Sequence, residues 1–454
     1  MEKESFDLAI IGAGPGGYEA AFAAAGYGLR TVLIERKALG GTCLNCGCIP
    51  TKTLLHAAGV LHSVREAGTF GVTAGELRFD MPQLQSYKRE VVAKLQAGIA
   101  QRLRQQKITV VEGNACVEAA GRIRISDGGA EITAKNILIA AGAVPAVPPI
   151  PGADLPGVLV SDGLLELEEV PKRLVIIGGG VIGVEFAALY ASLGTQVTLL
   201  EALDRILLNL DKELSQSVKL LLKKQGVNIH TSACVDSIEA SGTGLRCAYT
   251  EKNTACSAEA DKLLIAAGRR AAGDGIVNEA LGLAMDQGRI LVDETYKTNV
   301  PGIYAIGDVT GAVQLAHAAM AQGRNAAALI AGHVPGMRTD LVPACIYTEP
   351  EAASVGLTVD DAKKSGRKII TRKYSMGANG RTVLSGAERG YIRIVADENT
   401  HVLLGAQLFC ERASDIVSEL SLAIAARMRL EEAGSVIHPH PSFGEAVGEV
   451  LREI

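Results

Sequence analysis

The sequence predicts an α/β fold in which two domains of one doubly wound type stand in series, followed by an α+β domain. Three observations predict it: a strand–turn–helix–strand pattern that occurs twice, a matching pair of short strand–turn segments, and a C-terminal stretch where the glycine-rich pattern stops.

The repeat comes first. Residues 8–35 read LAIIGAGPGGYEAAFAAAGYGLRTVLIE, residues 174–201 read LVIIGGGVIGVEFAALYASLGTQVTLLE, and the two align without a gap. Each opens on an apolar run of strand length, passes through Gly-x-Gly-x-x-Gly, continues with a helical pattern and closes on a strand ending in glutamate. The glycines are Gly12, Gly14 and Gly17 in the first copy and Gly178, Gly180 and Gly183 in the second, with Glu35 and Glu201 as the closing acids.

That spacing has a physical cause. The first glycine permits a tight turn, the second lets backbone approach a pyrophosphate, and the third allows close helix–strand packing. The helix N-terminus offers unpaired N–H groups and a positive dipole end, and the glutamate accepts hydrogen bonds from ribose hydroxyls. One glycine-rich turn is weak evidence. Two copies, each in βαβ context and each with its acid, indicate two Rossmann-like dinucleotide-binding domains.

The second pair of matches is NILIAAG at 136–142 and KLLIAAG at 262–268, each reading as the strand and turn that close a nucleotide domain, at Gly142 and Gly268. Between them Pro145, Pro148, Pro149, Pro151 and Pro156 mark a crossing segment. NVPGIYAIGDV at 299–309 reads as a short strand ending in Gly-Asp, at Asp308. From about residue 336 the fingerprints stop, and a strand at Tyr391–Val395 and a helix around Asp415–Met428 suggest a separate α+β domain.

Composition excludes several function classes. Hydrophobic residues are 48% and charged residues 21% of 454, the balance of a globular protein of several domains. Glycine, at 51 residues, exceeds the average share of about 7%. The net charge is −5, no basic tract occurs, Trp is absent and aromatics are 4%, which argues against nucleic-acid binding. The apolar stretch Leu174–Gly194 has the length of a membrane span, but it carries Glu185 and Gly178-Gly179-Gly180 and belongs to the second repeat. The acidic start, Met-Glu-Lys-Glu-Ser-Phe-Asp, is not a secretory signal. Nine scattered cysteines fit a reducing cytoplasm, where any disulfide is transient and catalytic.

Three of those cysteines cluster in GGTCLNCGCIPTK at 40–52. Cys43 and Cys48 are spaced to close a small loop if the segment turns into a helix. Ile49-Pro50 suits an extended turn before a helix beginning near Thr51, and a helix start near Cys48 favours its thiolate. Cys46 leaves a metal cluster or a shifted disulfide open. A second ligand cluster for zinc is missing, so no metal is expected, and an unpaired structural thiol is the plain reading of Cys46.

With GAGPGGY, GGTCLNCGCIPTK, GGGVIGVEFA, AIGDV, LAH, YTEPEAASVGL and HPHPSFGEA in place, the chain resembles the flavoprotein disulfide reductases, and among them the dihydrolipoyl dehydrogenase family, from about residue 5 to its end. The resemblance implies an FAD-binding domain at 1–146, an NAD-binding domain at 147–268, a central domain completing the FAD site at 269–336 and an interface domain at 337–454. It implies that Gly12, Gly14, Gly17 and Glu35 hold the ADP half of FAD, Asp308 meets its ribityl chain, and Gly178, Gly180, Gly183 and Glu201 hold NAD. It further implies a redox disulfide between Cys43 and Cys48, with Cys43 exchanging with substrate and Cys48 lying against the flavin. Lys52 would sit near the flavin, paired with Glu185.

Thiol oxidation also needs a base, and His438-Pro-His440-Pro-Ser-Phe-Gly-Glu445 supplies candidates near neutral pH. The family spacing, a glutamate five residues after the histidine, selects His440 oriented by Glu445, while His438 reads as structural. The family base acts across a two-fold axis, so a homodimer is implied. The implied substrate is a dihydrolipoyl group carried by another protein, either a 2-oxoacid dehydrogenase acyltransferase or the glycine-cleavage H protein.

Relatives differ at readable positions. A glutathione reductase would carry basic residues for an NADP phosphate, where Glu201 stands here and only Arg205 is nearby. Mercuric reductase and the larger thioredoxin reductases need a second C-terminal redox pair, and Cys410 is the last cysteine. A non-enzymatic, nucleotide-sensing flavoprotein is a reading of another class, and the cysteine pair and the His440–Glu445 spacing argue against it.

Overall fold

The structure is a computed structural model and describes residues 5–125, 129–242, 244–387 and 390–452. The first four residues of the acidic start and the last two of the chain lie outside these. The described chain falls into two compact units, one of Met1–Thr53, Pro82–Ala146 and Gly268–Thr339, the other of Leu54–Met81, Val147–Ala267 and Asp340–Ile454.

In the first unit, β1 (Ser5–Ile11), α1 (Pro15–Gly26) and β2 (Thr31–Glu35) are the first repeat. α2 (Gly41–Cys46) and the start of α3 (Cys48–Glu66) follow, then β3 (Thr109–Glu112) and β4 (Glu131–Ile139). The parallel order is β3-β2-β1-β4, and the strand Ile303–Ala305 adds to β4. Both faces of this sheet are buried, which is why β1 reads as a continuous apolar run: Ala9 and Ile11 pack on one side, Leu8 and Ile10 on the other.

The second repeat builds the same sheet. β5 (Arg173–Ile177), α4 (Val181–Ser192), β6 (Gln196–Glu201), α5 (Lys212–Lys224), β7 (Asn228–Thr231) and β8 (Lys262–Ile265) give the order β7-β6-β5-β8, with Val158–Leu159 added to β8. All these pairings are parallel. Equivalent strands therefore occupy equivalent positions, as the repeat requires.

The C-terminal stretch forms an antiparallel sheet in the order β9-β10-β13-β12-β11, where β9 is Ala344–Ile346, β10 Glu351–Gly356, β11 Ile369–Ser375, β12 Tyr391–Asp397 and β13 Leu403–Cys410. α6 (Ala413–Ala425) and α7 (Glu445–Arg452) cover one face, where Ile392, Ile394 and Leu408 meet Leu420 and Val447 in one core. The helix expected around Asp415–Met428 thus starts and ends slightly earlier.

Within the first unit the Pro-rich crossing opens with a strand, Ala143–Pro145, paired antiparallel with Arg269–Ala271. Among the described residues no helix is long and apolar enough to cross a membrane.

Candidate active site

The first and third glycines of the two fingerprints are constrained alike. Gly12 and Gly178 adopt φ of 102° and 111°, and a Cβ on either would meet the backbone oxygen of Ala140 at 2.4 Å or Ala266 at 2.3 Å. A Cβ at Gly17 would fall 1.8 Å from the Gly12 oxygen, and at Gly183 1.9 Å from the Gly178 oxygen, so each helix presses on its own turn. The middle glycines differ from these. A Cβ at Gly180 would meet nothing within 4 Å, and at Gly14 only the Gly41 Cα at 3.9 Å. Open space therefore lies before two helix N-termini whose capping residues, Gly14 and Gly180, offer no side chain to the first N–H groups. Gly142 and Gly268 likewise open on free space.

The closing acids are pinned alike. Glu35 accepts hydrogen bonds from the Ala13 N–H at 2.7 Å and the Lys37 N–H at 2.9 Å. Glu201 accepts them from Gly179 at 2.6 Å and Leu203 at 2.8 Å. Each carboxylate is aimed by backbone, and its remaining lone pairs suit a ribose diol. The residues present fit two dinucleotides.

The dithiol is made by a break between two helices. α2 ends at Cys46, Gly47 turns the chain at φ −143° and ψ −113°, and α3 begins at Cys48 rather than near Thr51. A Cβ at Gly47 would lie 2.9 Å from the Thr42 oxygen, so a side chain there would push the helices apart. Pro50 is tolerated because it stands in the first turn, where its missing N–H has no helical partner, while Thr51 caps back to Gly47 through its N–H at 3.0 Å and hydroxyl at 2.7 Å. The turn brings Cys48 to Cys43. Both are free thiols, and the Cys43 thiol is hydrogen-bonded to the Cys48 side chain. That bond, burial and the Cys48 charge push the Cys43 thiol far up, against a smaller opposing pull from Lys52, one helical turn beyond Cys48. Among the described residues no group of three metal-ligating side chains gathers, around Cys46 or elsewhere.

Tyr18, unremarked in the sequence, stands beside this pair. Burial first, then the charges of Cys43, Glu19 and Cys48, push its phenol up to about 12. The tyrosine closes the GAGPGGY stretch, but a helix residue next to a phosphate turn carries no periodicity that would place it against a dithiol.

Asp308 lies in the short 3-10 turn Gly307–Thr310 after Ile303–Ala305, and burial raises its carboxyl despite the opposing charge of Arg269. Glu185, on α4 and 4% exposed, accepts a hydrogen bond from the Tyr347 N–H at 3.1 Å, so it is not a solvated helix residue.

The two histidines of HPHP separate clearly. The His438 side chain is only 8% exposed, with its Nε2 2.8 Å from Glu419. The His440 ring is 78% exposed, and its Nδ1 lies 2.8 Å from the Glu445 carboxylate, itself only 17% exposed. Ser442 and Glu445 form a reciprocal cap on α7: the Glu445 N–H donates to the Ser442 hydroxyl at 3.1 Å and the Ser442 N–H to Oε1 of Glu445 at 3.3 Å. The Ser-x-x-Glu spacing carries that signal in the sequence. Asn379, 1% exposed, adds a bond to Oε1 at 3.2 Å, and no sequence pattern links it to residues so distant. Burial pushes the Glu445 carboxyl up, but the bonds from His440 and Ser442 outweigh it and hold it below the usual range.

Comparison with known proteins identifies the family. The family described as "Pyridine nucleotide-disulphide oxidoreductase" matches residues 6–323, and its "dimerisation domain" matches residues 342–451. A dihydrolipoyl dehydrogenase of Bacillus subtilis is 39% identical over 98% of this chain and 95% of its own. One of Chlamydia pneumoniae is 40% identical over 98% and 96%. Among solved structures, the HOCl-induced flavoprotein disulfide reductase RclA of Escherichia coli, as its Cu(II) complex, matches with a TM-score of 0.88 at 32% identity, over 99% of both chains.

Proposed function

Because the chain belongs to the pyridine nucleotide-disulphide oxidoreductase family, whose cofactors are FAD and NAD, we propose that it is a dihydrolipoyl dehydrogenase, oxidising protein-bound dihydrolipoyl groups with NAD⁺. The observation that carries this reading is the exposed His440 imidazole backed by an ionised, mostly covered Glu445, a base suited to a substrate that arrives as a dithiol. The dimerisation domain supports a homodimer in which that base serves the partner's dithiol.

In this reading the oxidised enzyme carries a Cys43–Cys48 disulfide, of which the two free thiols seen here are the reduced form. A substrate thiolate attacks Sγ of Cys43, the S–S bond breaks, and its electron pair goes to Sγ of Cys48. The second substrate sulfur gives its proton to His440 and displaces Cys43, whose leaving sulfur takes that proton, and the substrate departs as lipoyl disulfide. Two electrons now reside in the Cys43–Cys48 dithiol. Bound FAD would take them and pass a hydride to NAD⁺. As in the resemblance, Cys48 serves the flavin side and Cys43 the exchange, while the Lys52 charge favours anionic sulfur at Cys43. Lys52 would supply positive charge near the flavin, Asp308 would hold the ribityl chain, and Glu201 would select NAD over NADP by repelling a ribose phosphate.

The test compares dihydrolipoamide with glutathione and with Cu(II) under NADH as alternative substrates of the purified flavoprotein. NAD⁺ reduction by dihydrolipoamide at rates far above the others is the expected result. A strong preference for glutathione or for Cu(II) would overturn this reading.

A further inference from the structure

In Ser-Val-Ile-His-Pro-His-Pro at 435–441, His438 alone is not exposed, and its neighbour Ile437 is 94% exposed. Among the described residues no backbone hydrogen bond holds 437–441 to the rest of the chain. The segment that carries His440 is therefore fixed by side chains, and the His438 imidazole is the one that turns inward.

Two helices receive it. Nε2 lies 2.8 Å from Oε1 of Glu419 on α6. The other ring nitrogen faces α7, where a Cβ on the buried Gly448 would stand 2.8 Å from Nδ1 and 2.8 Å from the Arg452 guanidinium. A side chain at 448 would lift the imidazole, so the glycine is its seat. Nδ1 has no hydrogen-bond partner among the described residues, which leaves Glu419 as the polar anchor of the ring.

α7 is also the helix of Glu445, three residues before Gly448 and so on a neighbouring turn of the same side. Both histidines thus bear on one helix: His438 lies on Gly448, and His440 meets Glu445 through Nδ1 at 2.8 Å. What links them is stiff. Pro439 locks its own φ, and both histidines precede proline, which confines their backbone to extended conformations. Over so short and restricted a span, the place of one imidazole sets the place of the other.

We infer that His438 is a positioning residue for His440: the Glu419 anchor and the Gly448 seat hold the segment where the His440 ring meets Glu445. The inference rests on the reading of His440 as the base. A shift of about 1 Å can cost about 10²-fold in rate, so an anchor two residues from the base acts on turnover without touching substrate.

The test uses the FAD-loaded protein with dihydrolipoamide and NAD⁺. His438→Leu removes the donor to Glu419, and kcat should fall about tenfold with KM within about twofold of the parent. His438→Gln, whose amide can still donate to Glu419, should recover most of that loss. In a Glu445→Gln background, His438→Leu should cost less than about twofold more, because the contact it serves is already weakened. A role in packing alone would multiply the two losses, to about a hundredfold, and would overturn the inference. Glu419→Ala, at a 41% exposed side chain, should reproduce the kcat loss and the non-additivity even where His438→Leu fails to fold. The crystal structure of Glu419→Ala needs no substrate and should show His440 out of hydrogen-bond reach of Glu445. An unchanged His440–Glu445 bond there would overturn the inference whichever dithiol the enzyme prefers. Inactivity of the parent protein towards dihydrolipoamide would instead overturn the functional reading, and the crystal structure would still decide on His438.

Discussion

Glu445 reaches His440 through one carboxylate oxygen and the first turn of α7 through the other: Oε2 lies 2.8 Å from Nδ1 of the imidazole, and Oε1 accepts the Ser442 N–H at 3.3 Å. One side chain therefore sets both the position of the base and the start of the helix that carries it. The contact at Nδ1 leaves Nε2 as the nitrogen available to a substrate thiol.

Glu445→Gln separates the two duties, since the amide keeps an oxygen for the cap and loses only the charge. It should lower kcat for dihydrolipoamide about tenfold, and His440→Gln should lower it about 10²–10³-fold, within the usual span for a general base. NADH oxidation by an artificial dye, which needs no dithiol, should be unchanged in both. Equal loss of the two activities would mean that the variants had damaged the flavin site instead.

Cys43→Ser and Cys48→Ser should differ in colour as well as rate. Both should lose dithiol turnover by at least about a thousandfold. In Cys43→Ser the remaining Cys48 thiolate should retain a long-wavelength band beside the flavin, and Cys48→Ser should lack it. The reverse pattern in the visible spectrum would exchange the assigned roles.

Glu201 is held by two backbone N–H groups, so Glu201→Ala removes charge and ribose contact together. Losing a charge-assisted bond of about 1.5–3 kcal/mol should raise KM for NAD⁺ roughly 10- to 100-fold. NADP⁺ should lose less or gain, and a parallel loss for both cofactors would show that repulsion at Glu201 does not select between them.

Acid stability should depend on Asp261, whose carboxyl is lowered by hydrogen bonds from the Arg173 side chain and backbone. A depressed pKa contributes stability above the unfolded value near 3.8, and that contribution is lost as pH falls through the folded value. Asp261→Asn should therefore lower the melting temperature at pH 7 and converge on the parent as pH falls through the folded value, below 3.8. Melting curves that stay separated by a constant amount down to that pH would exclude the ion pair as the cause.

Much of this was legible because both nucleotide turns are local. Gly12, Gly17 and their counterparts are dictated by contacts with backbone a few residues away or one strand over, and such constraints leave glycine in a fixed pattern. The helix start at Cys48 was not legible: the rule that a residue before proline avoids helix points to Thr51, but a proline in the first helical turn escapes it. Tyr18 and Asn379 were missed for another reason. Their partners come from distant segments, and no spacing encodes a contact that only the tertiary fold creates.

The most direct test of the central claim is anaerobic titration of the purified protein with dihydrolipoamide while the visible spectrum is recorded, followed by NAD⁺. The account predicts a long-wavelength thiolate–flavin band after two electrons per chain, discharged by NAD⁺ with one NADH formed per chain. Flavin bleaching without that band, or discharge by NADP⁺ in preference to NAD⁺, would contradict it.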